Sequence, residues 1–418
     1  MELTNDQKEA SKDFLKFLLD KNAREFVLEG YSGCGKTTLV KYLYELAQSK
    51  QSLLKYLTDS YGNIQISLTA LTHKAAAQLS NTLDRPAITV HSFFGLRVFN
   101  DYKNGRTKLG RARNVTVPSN HLVFIDEASM VDSELLAYIR ESSKSCKIVW
   151  IGDPKQLLPL FSKTAPVFTN PKRVAKLKNV VRQAASNPII GLATELRLAL
   201  DGGPMPRMDI SRGDEIQHID GPVFQSLVKQ NMGDIDYPKN KYRILAWTNT
   251  RIHEYNQYVR QLHTPHETYQ KGELLILNSA LYPGTKNMIA NETELVIESS
   301  RPDVLYDIQG HWYRGTCGTY LFAPDDYNDV TQVLNKYKGL SDWVEYYKIK
   351  ENIADIRPGH ASTIHKSQGS TFHTVFIDLD DIGRNNKRDE VIRLLYVAVT
   401  RASDQVYLYG SLPDRMYG

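Results

Sequence analysis

Cysteine is scarce in this chain: Cys34, Cys146 and Cys317 are the only three among 418 residues. An odd number at such wide spacing builds neither a disulfide framework nor a cysteine metal cluster, and it fits a reducing interior. Long apolar runs are also missing. No stretch approaches the ~18 consecutive apolar residues of a membrane span, and the opening MELTNDQKEA lacks the charged and apolar regions of a signal peptide. A soluble, intracellular (cytoplasmic) protein without a membrane partner is therefore expected. Nor does one charge dominate: 52 Lys and Arg against 47 Asp and Glu leave a net charge of +5. Such a balance permits a polyanionic partner without the bias of an obligate nucleic-acid coat. There is no internal repeat or low-complexity tract, and the length suggests roughly two to four domains.

What is present begins at residues 30–37, GYSGCGKT, a complete G-x-x-x-x-G-K-[ST] phosphate loop. The apolar run Phe26-Val27-Leu28 precedes it, and a helix-forming stretch starting at Thr37 and Thr38 follows. A strand, a glycine-rich turn and a helix N-terminus together aim backbone N–H groups and a helix dipole at one anionic site. A nucleoside triphosphate is the expected occupant. Gly30, Gly33 and Gly35 let the backbone close around the phosphates, Lys36 bridges the outer ones, and the Thr37 hydroxyl ligates Mg²⁺. The string LVFIDEAS at 122–129 then ends an apolar strand in two acids. There Asp126 would hold Mg²⁺, mostly through its waters, and Glu127 would take a proton from the water attacking the γ-phosphate. KIVWI runs into GDPKQLLP at 152–159, which puts Asp153 and Gln156 at the same sheet edge. Gln156 is neutral and can exchange donor for acceptor roles, as a γ-phosphate sensor must. A plain proline-bounded turn explains the same string.

Strands alternating with helices predict a parallel α/β sheet up to about residue 175. Helices are expected over 6–19, 73–83 and 133–142, and strands over 64–68, 122–125 and 147–151. Between His91 and Pro118, the run VFNDYKNGRTKLGRAR places Asn104-Gly105 between short extended runs and reads as a projecting β-hairpin. A second alternating region starts near Val180, with helices over 188–200, 249–262 and 389–400 and strands over 243–247, 373–379 and 405–410. It is interrupted over about 264–358 by short β-like runs (ELLIL, TELVIES, TYLFA) that suggest a small β-barrel. Within that insert, 327–352 has helical spacing broken at Gly339, and its aromatics read as core.

These residues together resemble the superfamily 1 helicases of the RecD/Dda type, over nearly the whole chain. LTNDQ resembles the family's adenine-reading segment, with Gln7 as its glutamine; LTALTHKAAAQL at 68–79 and AITVHSFF at 87–94 resemble its single-strand contact motifs. VVRQ at 180–183 carries Arg182 where the family has an ATP-contacting arginine, and ILAWTNTRIHEYN at 244–256 matches a further signature. ASTIHKSQGSTF at 361–372, with Gln368 and Gly369, and LLYVAVTRA at 394–402, with Arg401, resemble the motifs that couple DNA to ATP. The resemblance implies two RecA-like lobes: 1–92 with 118–176, and 177–263 with 359–418. It further implies a pin insertion at 93–117 and an SH3-like barrel with a helical projection at 264–358. IANETELVI at 289–297 is similar to the barrel's NGE/NGQ signature but has Glu292 in place of glycine, followed by Thr293, which speaks against the signature's tight turn, so only Asn291 carries over.

By the same resemblance, ATP and Mg²⁺ are the cofactors. Thr37 and Asp126 hold the metal, and Gln7, Gly30, Gly33, Gly35, Lys36, Thr37, Thr38, Asp126, Gln368 and Gly369 bind the nucleotide. Catalysis falls to Lys36, Glu127, Gln156, Arg182 and Arg401. A single-strand channel would be lined by Thr72, His73, Lys74, His91 and Ser92 in one lobe and Thr248, Asn249, Ser362, Thr363 and His365 in the other, with Asn291 beside it. Each of these is also an ordinary cap or turn residue. On the hairpin, Phe99 or Tyr102, or else Phe94, is the candidate wedge, next to Lys103, Arg106, Lys108, Arg111 and Arg113. The expected protein is an ATP-dependent DNA helicase that moves 5′ to 3′ as a functional monomer on single-stranded and forked DNA. A single-strand-binding or replication and recombination protein is a candidate partner. Two rivals share the ATP residues: a single-stranded-DNA-stimulated translocase that does not unwind, and a nucleotide-dependent DNA-binding switch. Against the second stands an intact Glu127.

Overall fold

The computed structural model describes residues 3–50, 64–101, 106–112, 119–159, 162, 164–178, 187–263, 266, 268–282 and 288–417. Along the first lobe run β1 (Glu25–Gly30), β2 (Gln65–Ala70), β3 (Ala87–Thr89), β4 (Leu96–Asp101), β5 (Arg106–Arg111), β6 (His121–Asp126), β7 (Lys147–Gly152) and β8 (Val174–Leu177). Six of them form one parallel sheet in the order β3-β2-β6-β7-β1-β8. Because β7 lies between β6 and β1, the carboxyl ends of all three carry the acid pair, the 153–156 turn and the phosphate loop along one edge. A parallel sheet presents its ligand site at that edge. β8 pairs with β1 through Leu177, so the first lobe extends one residue beyond the expected boundary at 176.

Periodicity dictates the packing. The helix Asn5–Leu19 opens with a capping box between Thr4 and Gln7, and its inward Phe14 and Phe17 meet Phe26 of β1 at ring distances of 6.0 and 5.5 Å. Trp150 fills the core on the sheet's other face. The helices His73–Leu83, Ser133–Ser142 and Pro188–Leu200 have the expected bounds, whereas the phosphate-loop helix begins one residue before the expected Thr37, at Lys36.

β9 (Ile216–Ile219) and β10 (Tyr242–Ala246) open the second lobe. β11 (Leu274–Leu277), β12 (Glu294–Leu305), β13 (Ile308–Gly315), β14 (Tyr320–Pro324) and β15 (Ile356–Pro358) interrupt it, before β16 (Ala361–Thr363), β17 (Phe372–Asp378) and β18 (Ala402–Tyr409) complete it. The lobe's parallel sheet runs β16-β10-β17-β18-β9, and the interrupting strands make a separate antiparallel sheet, β14-β13-β12-β11-β15. The helical stretch between β14 and β15 is two helices, Tyr327–Gly339 and Trp343–Asn352, broken where Gly339 stands. Tyr347 is buried there, as a core aromatic should be.

The tight turn before β12 survives the loss of its glycine. Glu292 adopts φ 63° and donates its N–H to the Leu277 carbonyl at 2.8 Å. β4 and β5 form the expected antiparallel hairpin, with Phe99 opposite Lys108. Its base is fastened to the first lobe by Tyr138, whose hydroxyl donates to the Leu109 carbonyl at 2.9 Å. The turn residues Asn104 and Gly105, with Tyr102, Lys103 and Arg113, lie outside the described residues.

Candidate active site

A cleft of about 380 Å³ lies between the lobes. From the first lobe it is lined by Gly33, Gly35, Lys36, Thr37, Thr38, Asp126, Glu127 and Gln156, and from the second by Gly369, Thr371, Thr400 and Arg401. Gly33 and Gly35 take φ of 79° and 74°, left-handed values that glycine adopts without strain. Gly30 is needed for another reason: a Cβ there would stand 2.7 Å from the Lys36 side chain. Lys36 Nζ donates to the carbonyls of Gly30 (2.8 Å) and Tyr31 (3.1 Å), folding the ammonium back onto the loop. Gln7 is buried and clamps this loop from behind, its amide donating to the carbonyls of Cys34 (3.3 Å) and Gly35 (3.4 Å). In this arrangement its amide supports the phosphate loop.

The acid pair is electrostatically tense. Burial, then the charge of Asp126, pushes the Glu127 carboxyl up to about 7, while Arg401 and Lys36 pull it back. Burial also raises Asp126, opposed by the Glu127 N–H, which donates to its Oδ1 at 2.9 Å. Two carboxylates in one desolvated site cannot both ionise freely. Glu127 is further held at φ 56°, a left-handed conformation that costs a non-glycine residue about 1–3 kcal/mol and tends to mark working sites. Asp126 keeps its second oxygen for other partners and shares the cleft with Thr37, so this donor set fits a hard, oxygen-seeking cation.

The lobes touch around this cleft. Gln368 Nε2 reaches Gln156 Oε1 at 3.4 Å, both side chains buried. Arg401 is buried and spends its donors within its own lobe, on the carbonyls of Val397 and Ser370 (both 3.1 Å) and on the Thr400 hydroxyl (3.2 Å). Arg182 lies outside the described residues. Sequence reasoning missed three contacts made by second-lobe helices. The Tyr396 hydroxyl bonds both Asp153 and the Ser32 N–H. Arg393 donates to the Pro154 and Gln156 carbonyls at 2.8 and 2.7 Å. Arg197 lies 3.8 Å over the Tyr31 ring. The signal for the first two was within reach, since both stand one or two helical turns before Arg401.

A second cavity of about 360 Å³ adjoins the first and shares Ala75, Glu127, Gln368's neighbour Gly369 and thus a common wall with it. Thr72 and His365, from different lobes, face this space. Asn249, Ser362 and Thr363 line a smaller one in the second lobe. Several of the expected channel residues also have structural duties. Thr72 caps its helix by accepting from Ala75 N. Ser92 accepts from the Thr89 hydroxyl at 2.8 Å. Thr363 is buried and caps Lys366 N. Thr248 is pinned by the buried carboxylate of Asp381, which accepts from both its N–H and its hydroxyl. His73, His91 and His365 are each held below the usual histidine range by burial and so stay neutral near pH 7. Asn291 is exposed and accepts from the Glu292 N–H. Phe99 is 42 % exposed on the hairpin, whereas Phe94 is 1 % exposed in the core and cannot be a wedge.

Lys74 is paired with Glu294 of the inserted sheet at 2.9 Å, and the same carboxylate accepts from Arg243 at 3.1 Å. One acid thus ties the first lobe, the insert and the second lobe together. Arg243 is 1 % exposed, so Glu294→Leu leaves it an uncompensated buried charge. Breaking a fully buried pair costs about 3–5 kcal/mol; with Glu294 partly exposed, a loss of about 2–3 kcal/mol is expected in urea unfolding. An unchanged midpoint would show that the junction carries no stability.

Two parallel α/β lobes with a phosphate loop, an acid pair and an opposing arginine around one interlobe cleft define a P-loop nucleoside triphosphatase of the two-lobe type. Known proteins agree. Residues 2–201 match the AAA domain family and residues 358–409 the UvrD-like helicase C-terminal domain. The ATP-dependent DNA helicase dda of Enterobacteria phage T4 is 25 % identical over 463 aligned residues, covering 97 % of this chain and 99 % of that protein. The ATP-dependent RecD2 DNA helicase of Deinococcus radiodurans is also 25 % identical, over 93 % of this chain but only 47 % of its own length. In fold, the chain is similar to a Pif1 helicase from Bacteroides solved with ADP-AlF3 and ssDNA, at a TM-score of 0.54 and 16 % identity, covering 100 % of this chain and 95 % of that one. The lobes are therefore RecA-like in fold, and the chain is similar over nearly its whole length to superfamily 1 helicases of the RecD/Dda type.

Proposed function

We propose that this chain is an ATP- and Mg²⁺-dependent DNA helicase that travels 5′ to 3′ on single-stranded DNA and separates duplex by drawing one strand past the β4–β5 hairpin. One observation carries the reading: the nucleotide cleft and the cavity bearing Thr72 and His365 share the wall that holds Glu127. A strand lying across both lobes would therefore bear directly on the general base. In this reading Lys36 and Arg401 stabilise charge on the outer phosphates. Glu127 accepts the proton of the attacking water, and Gln156 senses the γ-phosphate. Thr37 and Asp126 would hold Mg²⁺, which supplies charge neutralisation at those phosphates. Arg182 joins Arg401 from the second lobe. Closure around ATP and reopening after release would alternate the grip on DNA. The domain plan is the one read from the sequence, with the first lobe ending at 177, a pin at 93–117, and an SH3-like barrel with a helical projection at 264–358.

The test is ATP hydrolysis with and without single-stranded DNA, followed by strand displacement on duplexes with a 5′ or a 3′ tail. Stimulated hydrolysis without displacement would leave a translocase, and displacement from the 3′ tail alone would reverse the polarity. For the wedge, Gly110 leaves room for the Phe99 ring, since a Cβ there would stand 3.2 Å from it. Base stacking on an aromatic is worth about 1–3 kcal/mol. Phe99→Ala is accordingly expected to slow forked-duplex unwinding about fivefold or more, with DNA-stimulated hydrolysis unchanged. Full unwinding by this variant would move the role to Tyr102.

A further inference from the structure

Resting on the ATPase reading above, we propose that Tyr396 is a positioning residue of the hydrolytic site, registering the second lobe, and with it Arg401, against the phosphate loop. Tyr396 lies on the helix Arg388–Val399, which ends just before Arg401. Its ring is 1 % exposed, and its hydroxyl crosses to the first lobe. There it donates to Asp153 Oδ2 and accepts the Ser32 N–H at 3.1 Å. Ser32 belongs to the phosphate loop, so a backbone donor of the loop that grips the nucleotide is bonded to the opposite lobe.

Asp153 is a buried carboxylate, 0 % exposed, whose other oxygen accepts from Lys155 N at 2.9 Å. A buried carboxylate left short of partners is costly, so the Tyr396 hydroxyl is bound firmly to one place. Arg401 has no such anchor. Its three hydrogen bonds all stay within the second lobe. What fixes its height over the phosphate loop is the helix that carries it, and that helix is fastened to the first lobe by Tyr396 and, one turn earlier, by Arg393 on the Pro154 and Gln156 carbonyls. Independent contacts roof the same loop: Arg197 stacks on Tyr31 at 3.8 Å, and Ile190 stands 3.1 Å from where a Gly33 Cβ would be. A residue that sets the approach of a transition-state arginine changes turnover more than ground-state binding.

The experiment is a double-mutant cycle in steady-state ATP hydrolysis at saturating single-stranded DNA, using wild type, Tyr396→Phe, Asp153→Asn and the double variant. Each single variant is expected to lower kcat about 10-fold to 100-fold while KM for ATP stays within about threefold, since a hydrogen bond to a charged group is lost mainly from the transition state. The double variant is expected to be no slower than the worse single, because Asp153→Asn disturbs only the Tyr396–Asp153 bond that Tyr396→Phe already removes along with the Ser32 contact. A residue that merely supports the fold would instead lower the fraction of active enzyme, seen in nucleotide-binding stoichiometry, with losses that add. Should Tyr396→Phe fail to fold, Asp153→Asn alone still reports the split between kcat and KM. Singles within twofold of wild-type kcat, or additive losses, overturn the proposal while leaving the ATPase reading intact. A wild-type chain that does not hydrolyse ATP overturns that reading itself.

Discussion

Replacing Glu127 with glutamine is expected to reduce ATP turnover by about 10²–10⁴-fold, the range for a lost general base. Nucleotide affinity should stay close to wild type, because the phosphate loop and Lys36 are untouched. Burial and Asp126 raise the Glu127 carboxyl to about 7, so it is near half-ionised at neutral pH. A base works only when deprotonated. The kcat/KM for ATP should therefore climb with pH through a midpoint near 7 and level off above it, and this limb should vanish in Glu127→Gln. Arg401 and Lys36 oppose the upward push, so deleting the Arg401 charge should move the limb to higher pH in the residual activity. Full turnover by Glu127→Gln, or a flat wild-type profile, would remove the base assignment.

The second large effect is expected at Arg401. Arg401→Ala should lower kcat by about 10³–10⁵-fold, as when an arginine finger is lost in phosphoryl transfer. Single-turnover hydrolysis isolates the chemical step and is the measurement of choice. Arg401→Lys should not restore the rate, since an ammonium cannot reproduce the planar fork. The guanidinium already occupies the cleft opposite the phosphate loop, yet all its hydrogen bonds belong to its own lobe. In the proposed cycle it would exchange some of them for phosphate oxygens as the lobes close. A kcat within tenfold of wild type in Arg401→Ala would assign the charge stabilisation elsewhere, with Arg182 the first alternative.

The sequence disclosed most where the physics is local. A phosphate loop needs its glycines, its lysine and its helix start in fixed order, so GYSGCGKT could be placed to within one residue of the observed helix. Long amphipathic helices such as His73–Leu83 were legible to the residue for the same reason. Short strands were not: β3, β8, β9 and β16 have three or four residues each, too few for a period to show, and exist because a longer neighbour pairs with them. Glu292 shows the opposite error. A missing glycine spoke against a tight turn, but pairing of the surrounding strands enforces φ 63° anyway. Tyr396 was hidden in a motif quoted for its arginine, because nothing local reveals that its hydroxyl crosses to the other lobe. Lys74 and Thr248 read as ligands for DNA, while their partners Glu294 and Asp381 stand 220 and 133 residues away in the chain.

Leu157 comes from the first-lobe turn that also carries Gln156, yet it is 2 % exposed within the hydrophobic core of the second lobe, among Leu192, Leu196 and Leu395. Pulling it free would return a buried leucine to water, at a cost of about 1.5–3 kcal/mol. Leu157 therefore acts as a peg of the first lobe seated in the second. In the proposed cycle, a movement that tilts the lobes about this peg would keep the leucine out of water, whereas one that draws them straight apart would expose it.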